Sequence, residues 1–148
     1  MDDTTKLNKV IYFIYCCFFI LIFTSCAVSK VTEIQVVKLA ETSKSWNGDD
    51  LPNYPKGKPK ITVLKITIPP KTKLHKHYHP VINSGIVLKG ELKVVDINGN
   101  ILLLKEGDVV VELVNKVHYG INEGKKPVEI VVFYSGTTDV PITVLDKD

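Results

Sequence analysis

All four histidines of this chain fall in two short segments. Three stand at alternate positions in Leu74-His75-Lys76-His77-Tyr78-His79-Pro80, and the fourth is His118. Successive side chains of a strand point to opposite faces, so alternation puts His75, His77 and His79 on one face. Neutral imidazole is the commonest metal-binding side chain. Two neighbours on one face lie about 6.6 Å apart along a strand and can share an ion with a third imidazole brought from elsewhere. The whole strip cannot, because its ends would be about 13 Å apart while each ligand reaches only about 2 Å to the metal. Three imidazoles with open positions suit Zn²⁺, Fe²⁺, Mn²⁺, Ni²⁺ or Cu²⁺.

The elements that must position these groups are strands. Ile61 to Ile68 is β-branched and broadly alternating, and Pro69-Pro70 ends it. Ser84–Lys89 and Glu91–Asp96 flank Gly90, and Asn98-Gly99 predicts a two-residue hairpin of the I′ type between Leu92–Ile97 and Ile101–Leu104. Val109–Val114, His118–Asn122, Val128–Tyr134 and Ile142–Leu145 complete the set, and nothing after Lys60 carries a helical period. Short strands with frequent turns predict an all-β, antiparallel sandwich or barrel.

The spacing of these residues resembles the cupin family. The family's first motif runs His-X-His, a short gap, Glu, six residues and Gly; His77, His79, Asn83 and Gly90 stand at those positions, with an amide in place of the carboxylate. Its second motif is matched by Gly107, His118 and Asn122, while Leu113 and Asn115 replace the usual Pro and Gly. The resemblance spans roughly Ile61 to Tyr134 and implies a double-stranded β-helix, or jelly-roll barrel. It implies His77 and His79 as the chelating pair and His118 as the third ligand, with Asn83 a weak fourth. A homodimer is expected by resemblance alone.

By alternation, His75 lies one step toward the barrel mouth, where it supports a metal ligand, faces substrate or is solvated. Asn83, Gly85 and Val87 point inward on one strand and Asn122 on another, which makes them pocket candidates. Glu112 is an alternative carboxylate ligand whose face alternation does not settle. Trp46 and Tyr54 are expected to seal one end of the core.

These features leave three functions open. One is a metal-dependent enzyme of dioxygenase, decarboxylase or isomerase type, although no general base is evident and no catalytic residue can be named. Another is a module that binds a metal and a small-molecule ligand. The last is a metal-free ligand-binding or structural barrel.

The remainder of the chain bears on location. Lys6 and Lys9 precede an apolar run of 14 residues, Val10 to Phe23, which is short for a membrane span and suits a signal peptide. Phe23-Thr24-Ser25-Cys26 resembles a bacterial lipobox, with Cys26 the lipidated residue. The expected organisation is a signal peptide over 1–25, a tether and lead-in strand over 26–60 that includes a short strand over Val31–Leu39, and a barrel over 61–148. Cys16 and Cys17 lie within the apolar run, so the barrel has no thiol chemistry. The implied location is the bacterial cell envelope, as a periplasm-facing lipoprotein attached to the membrane, or alternatively an uncleaved N-terminal anchor. The net charge is +3 and every basic residue is lysine. Without arginine's planar fork and without a basic cluster, nucleic acid is not an expected partner.

Overall fold

A computed structural model describes residues 8–9 and 32–147. The expected signal segment, apart from residues 8–9, and Cys26 lie outside the described residues. Among the described residues no helix is long and apolar enough to cross a membrane. The chain divides into a unit up to Val36 and a second unit from Val37 onward that contains every strand among the described residues.

Ten strands form the second unit: β1 (Pro59–Ile68), β2 (Thr72–Lys73), β3 (His77–Tyr78), β4 (Ile82–Lys89), β5 (Glu91–Asp96), β6 (Ile101–Lys105), β7 (Val109–Val111), β8 (His118–Asn122), β9 (Val128–Thr137) and β10 (Val144–Leu145). They make two antiparallel sheets, ordered β1-β9-β4-β7 and β10-β3-β8-β5-β6, with β2 also pairing β8. The all-β jelly-roll architecture read from the sequence is the one observed.

Alternation builds the core. β9 buries Val128, Ile130, Val132 and Tyr134 and turns Phe133 outward, while β4 buries Asn83, Gly85 and Val87. Leu92 and Val94 of β5 and Leu104 of β6 close over them from the other sheet, and Val110 of β7 joins them from beside β4. Each of the valine, leucine and isoleucine side chains contributes roughly 1.5–3 kcal/mol when fully buried. Gly85 permits close packing: a Cβ there would stand 3.1 Å from Ile130 Cδ1 and 3.3 Å from the Val131 carbonyl oxygen.

Three expectations about local structure are corrected. Residues 32–39 form no strand, and Ile34, Val36, Val37 and Leu39 are exposed. The β5–β6 hairpin is not of the I′ type, which needs positive φ at both central residues. Only Gly99 has it, at +82°. The Gly99 N–H donates to Asp96 O, and the Asp96 carboxylate accepts the N–H groups of Asn98 and Asn100. This is a type I turn closed by glycine in a bulge. Tyr54 is exposed and seals nothing, whereas Trp46 packs half-buried against the core.

The expected tether also contributes to the barrel. The loop around the Lys44–Asp50 bridge docks beside β7, where Trp46 N–H donates to Val111 O and Ser45 Oγ donates to Glu112 O at 2.9 Å.

Candidate metal centre

β2, Leu74 and β3 run as one interrupted strand along β8, which places His77 directly opposite His118. His79 follows just after β3, bridged to Val114 and held by the N–H of Asn115 on its carbonyl at 2.8 Å. Asn115 has φ of +56°, a left-handed conformation that asparagine tolerates better than most residues. This explains why an asparagine can stand where the resembled motif has glycine.

The three rings converge, with centroids 4.7 Å apart for His77–His118, 5.0 Å for His77–His79 and 5.1 Å for His79–His118. One ring nitrogen from each lies within 4.8 Å of the others. The opposite nitrogens are already engaged. Nδ1 of His77 contacts His75 O at 2.8 Å, Nδ1 of His79 contacts Ile142 O at 2.8 Å, and Nδ1 of His118 contacts Lys116 O at 2.9 Å. A carbonyl oxygen can only accept, so each Nδ1 carries the proton and donates it. The Nε2 lone pairs are thereby left for another partner, the arrangement that fixes metal-ligating histidines.

Glu112 enters from the connection after β7. Its Oε2 lies 3.2 Å from His118 Nε2. The angles do not make this a hydrogen bond, and both buried atoms remain without a hydrogen-bond partner. Leaving two such atoms unsatisfied is costly. A divalent cation bonded to them would remove that cost, so this donor set fits a transition metal.

Burial pulls the His77 and His79 pKa values down, that of His79 to about 4, so both rings are neutral near pH 7. Burial also depresses His118, but the contact with Glu112 and its charge together more than offset it, and the pKa is raised. Burial acts upward on Glu112, and its interactions with His118 and the other two histidines hold it below the ordinary carboxylate value. Burial pushes the Tyr134 hydroxyl upward, aided by Glu112.

Beside the rings lies a cavity of about 190 Å³. Its polar lining is His77, His79, Glu112, His118, Tyr134 and Thr143, and its other walls are aliphatic, including Leu64, Ile66, Leu74 and Val132. A wider groove of about 450 Å³, bordered by Lys93, Lys105, Asp108 and Glu123, contains none of the histidines.

Several residues read as pocket candidates are placed differently. His75 is exposed. Leu74 and His77 both line the cavity although three positions apart, so the irregular 74–76 stretch breaks the alternation and turns His75 outward. Asn122 is buried but spent on structure: its Nδ2 donates toward Ile68 O, Pro69 O and Lys126 O, and its Oδ1 accepts from Gly124 N–H. Gly85 and Val87 face inward but pack in the core, outside the cavity lining. Asn83 is buried opposite Tyr134, with neither amide atom partnered, and is likewise absent from the lining. Tyr134 and Thr143 were not singled out from sequence. Alternation with Ile130 and Val132 was a usable signal for Tyr134, while nothing local marked Thr143.

A jelly-roll barrel with three convergent imidazoles at one end of its cavity defines the class. The Cupin domain family model matches residues 64–134, just under half of the chain. No curated protein matches the chain. Among solved structures it is similar to an uncharacterized conserved protein with a double-stranded β-helix domain from Klebsiella pneumoniae subsp. pneumoniae MGH 78578, with 21% identity and a TM-score of 0.53 over 82% of this chain and 97% of that one. Oxalate decarboxylase from Lactobacillus farciminis, in a formate complex, aligns with 21% identity and a TM-score of 0.52, covering 57% of this chain and 26% of the enzyme. DMSP lyase DddQ from Ruegeria pomeroyi DSS-3 aligns with 20% identity and a TM-score of 0.51, covering 57% of this chain and 42% of the lyase. The chain thus spans less than half the length of either enzyme, and the likeness concerns the fold.

Proposed function

We propose that the protein holds one divalent transition metal ion on the Nε2 atoms of His77, His79 and His118 and uses it to bind a small molecule in the adjoining cavity. The observation that carries this reading is the set of Nδ1–carbonyl contacts, which orients all three rings before any ion arrives. A single such contact would satisfy any buried histidine, but three that leave the free ring nitrogens within 4.8 Å of one another match the way metal-ligating histidines are held.

The cavity constrains the ligand. Aliphatic walls and the lack of arginine disfavour a multiply charged anion. The site suits a compact, largely apolar molecule with an oxygen-bearing head on the ion. With an ion present, the centre would polarise that head as a Lewis acid, which is the chemistry a lyase or decarboxylase would draw on. Lys6, Lys9, the apolar run to Phe23 and Cys26 support export and lipid attachment of the barrel at the cell envelope.

The test is metal analysis of protein purified without a chelating tag. About one equivalent of metal is expected in the wild type and none in His77→Ala or His118→Ala, with thermal unfolding confirming that the variants fold. A wild-type protein that takes up no metal even after incubation with Zn²⁺, Mn²⁺ and Fe²⁺ removes this reading. For the anchor, Cys26→Ser should abolish lipid labelling, and unchanged membrane attachment would point to an uncleaved anchor.

A further inference from the structure

We infer that Glu112 is the carboxylate ligand of this centre, so that the negative charge of the site comes from the connection after β7 and not from β4, where Asn83 stands. The inference rests on the metal reading above and extends it.

Side matters first. A carboxylate that merely supports a metal-bound histidine takes the N–H on the far side of the ring. On His118 that position is occupied, because Nδ1 donates to Lys116 O at 2.9 Å. Glu112 approaches Nε2 instead, the atom that would face the ion.

The separation is informative too. Two donors with bonds of about 2.1 Å to one ion, at angles between 90° and 109°, stand about 3.0–3.4 Å apart. Glu112 Oε2 and His118 Nε2 are 3.2 Å apart without being aligned as donor and acceptor. Adjacent ligands on a shared ion have this spacing, and both atoms are otherwise unpartnered; Glu112 lies outside the group of three imidazoles whose ligand nitrogens are within 4.8 Å of one another, so a small rotation of its side chain is needed to complete the set.

Finally, the backbone of Glu112 is clamped on two sides. Its N–H donates to Asn83 O at 3.2 Å, and its carbonyl accepts from Ser45 Oγ at 2.9 Å. The carboxylate is therefore presented by fixed backbone. Asn83, one strand away, has an uncharged amide with no hydrogen-bond partner and lies outside the cavity lining, and a second carboxylate there would add a like charge beside the first.

The experiment measures Zn²⁺ affinity by competition with a chromophoric chelator for the wild type, Glu112→Gln, Glu112→Asp and Asn83→Ser. Glu112→Gln should weaken binding at least 100-fold and Glu112→Asp less, while Asn83→Ser stays within about threefold. A structure of the zinc-loaded wild-type chain should place a Glu112 oxygen within about 2.2 Å of the ion. That measurement decides the matter even where a variant does not fold. Equal affinity in the wild type and Glu112→Gln, or an oxygen more than about 3 Å from the ion, overturns the role of Glu112 while leaving the three-imidazole site in place. A wild type that binds no zinc removes both.

Discussion

His77 and His118 face each other across the β3–β8 pair, with ring centroids 4.7 Å apart, although forty-one positions separate them in the chain. Cross-strand pairing therefore brings the two imidazoles together, whereas His75, only two positions from His77, is turned to solvent. His75→Ala should leave Zn²⁺ affinity within about twofold of wild type, because only the His75 backbone carbonyl contributes. His77→Ala should lower it more than 100-fold, since the loss of a direct ligand exceeds the 10- to 100-fold typical of supporting partners. Equal losses in the two variants, measured by chelator competition, would contradict the placement of His75.

The Nδ1–carbonyl contacts predict the ring tautomers. In zinc-loaded protein, long-range ¹H–¹⁵N correlation spectra should show His77, His79 and His118 each with a protonated Nδ1 and a metal-shifted Nε2. Binding through Nδ1 in any of the three would break the corresponding contact to His75 O, Ile142 O or Lys116 O and refute the arrangement.

How far these relations could be read from sequence depends on range. The His77–His79 step, the β8 segment at His118 and the inward set Asn83, Gly85 and Val87 follow from local alternation and were legible. The solvated reading of His75 is the one observed, but its expected shared face with His77 fails because alternation assumes an unbroken strand, and the irregular 74–76 stretch violates that assumption. The I′ expectation at Asn98-Gly99 failed because Asp96 supplies carboxylate acceptors for the turn, which lets a type I turn with glycine in the bulge win. Glu112 and Ser45 could not be placed because each depends on contacts between distant segments that no local pattern encodes.

Asn122 supplies a contrast between a structural and a functional polar group. Its amide joins the loops at Ile68–Pro69 and Gly124–Lys126. Asn122→Ala would leave those carbonyls and the Gly124 N–H unpaired, at a cost of about 1–3 kcal/mol per buried group left unsatisfied. The expected outcome is a loss of about 2–4 kcal/mol in urea unfolding, with zinc affinity of the folded protein changed by less than about threefold. A stable variant with a tenfold affinity loss would instead return Asn122 to the site.

The pH dependence of the metal-free protein follows from the same burial. His79 has its pKa lowered from 6.5 to about 4, so below 6.5 the unfolded chain takes up a proton that the folded chain refuses. Stability must then fall as pH drops from about 6.5 toward 4, by about 3 kcal/mol for His79 alone. His77 is shifted in the same direction and adds to the slope. His118 acts oppositely: its folded pKa is raised, so its contribution is fully present below 6.5 and is lost as pH rises through the raised value. The two effects place the stability maximum of chelator-treated protein near pH 6.5, with losses on both sides. Thermal unfolding in EDTA from pH 4 to 9 should show this maximum, and His79→Gln should flatten the acid limb. Zinc reverses the balance. It requires all three imidazoles neutral, so binding below the raised pKa of His118 must expel the proton that the Glu112 contact favours there, and stabilisation by zinc should grow as pH rises through that pKa. An acid limb unchanged in His79→Gln would show that a different group carries the sensitivity.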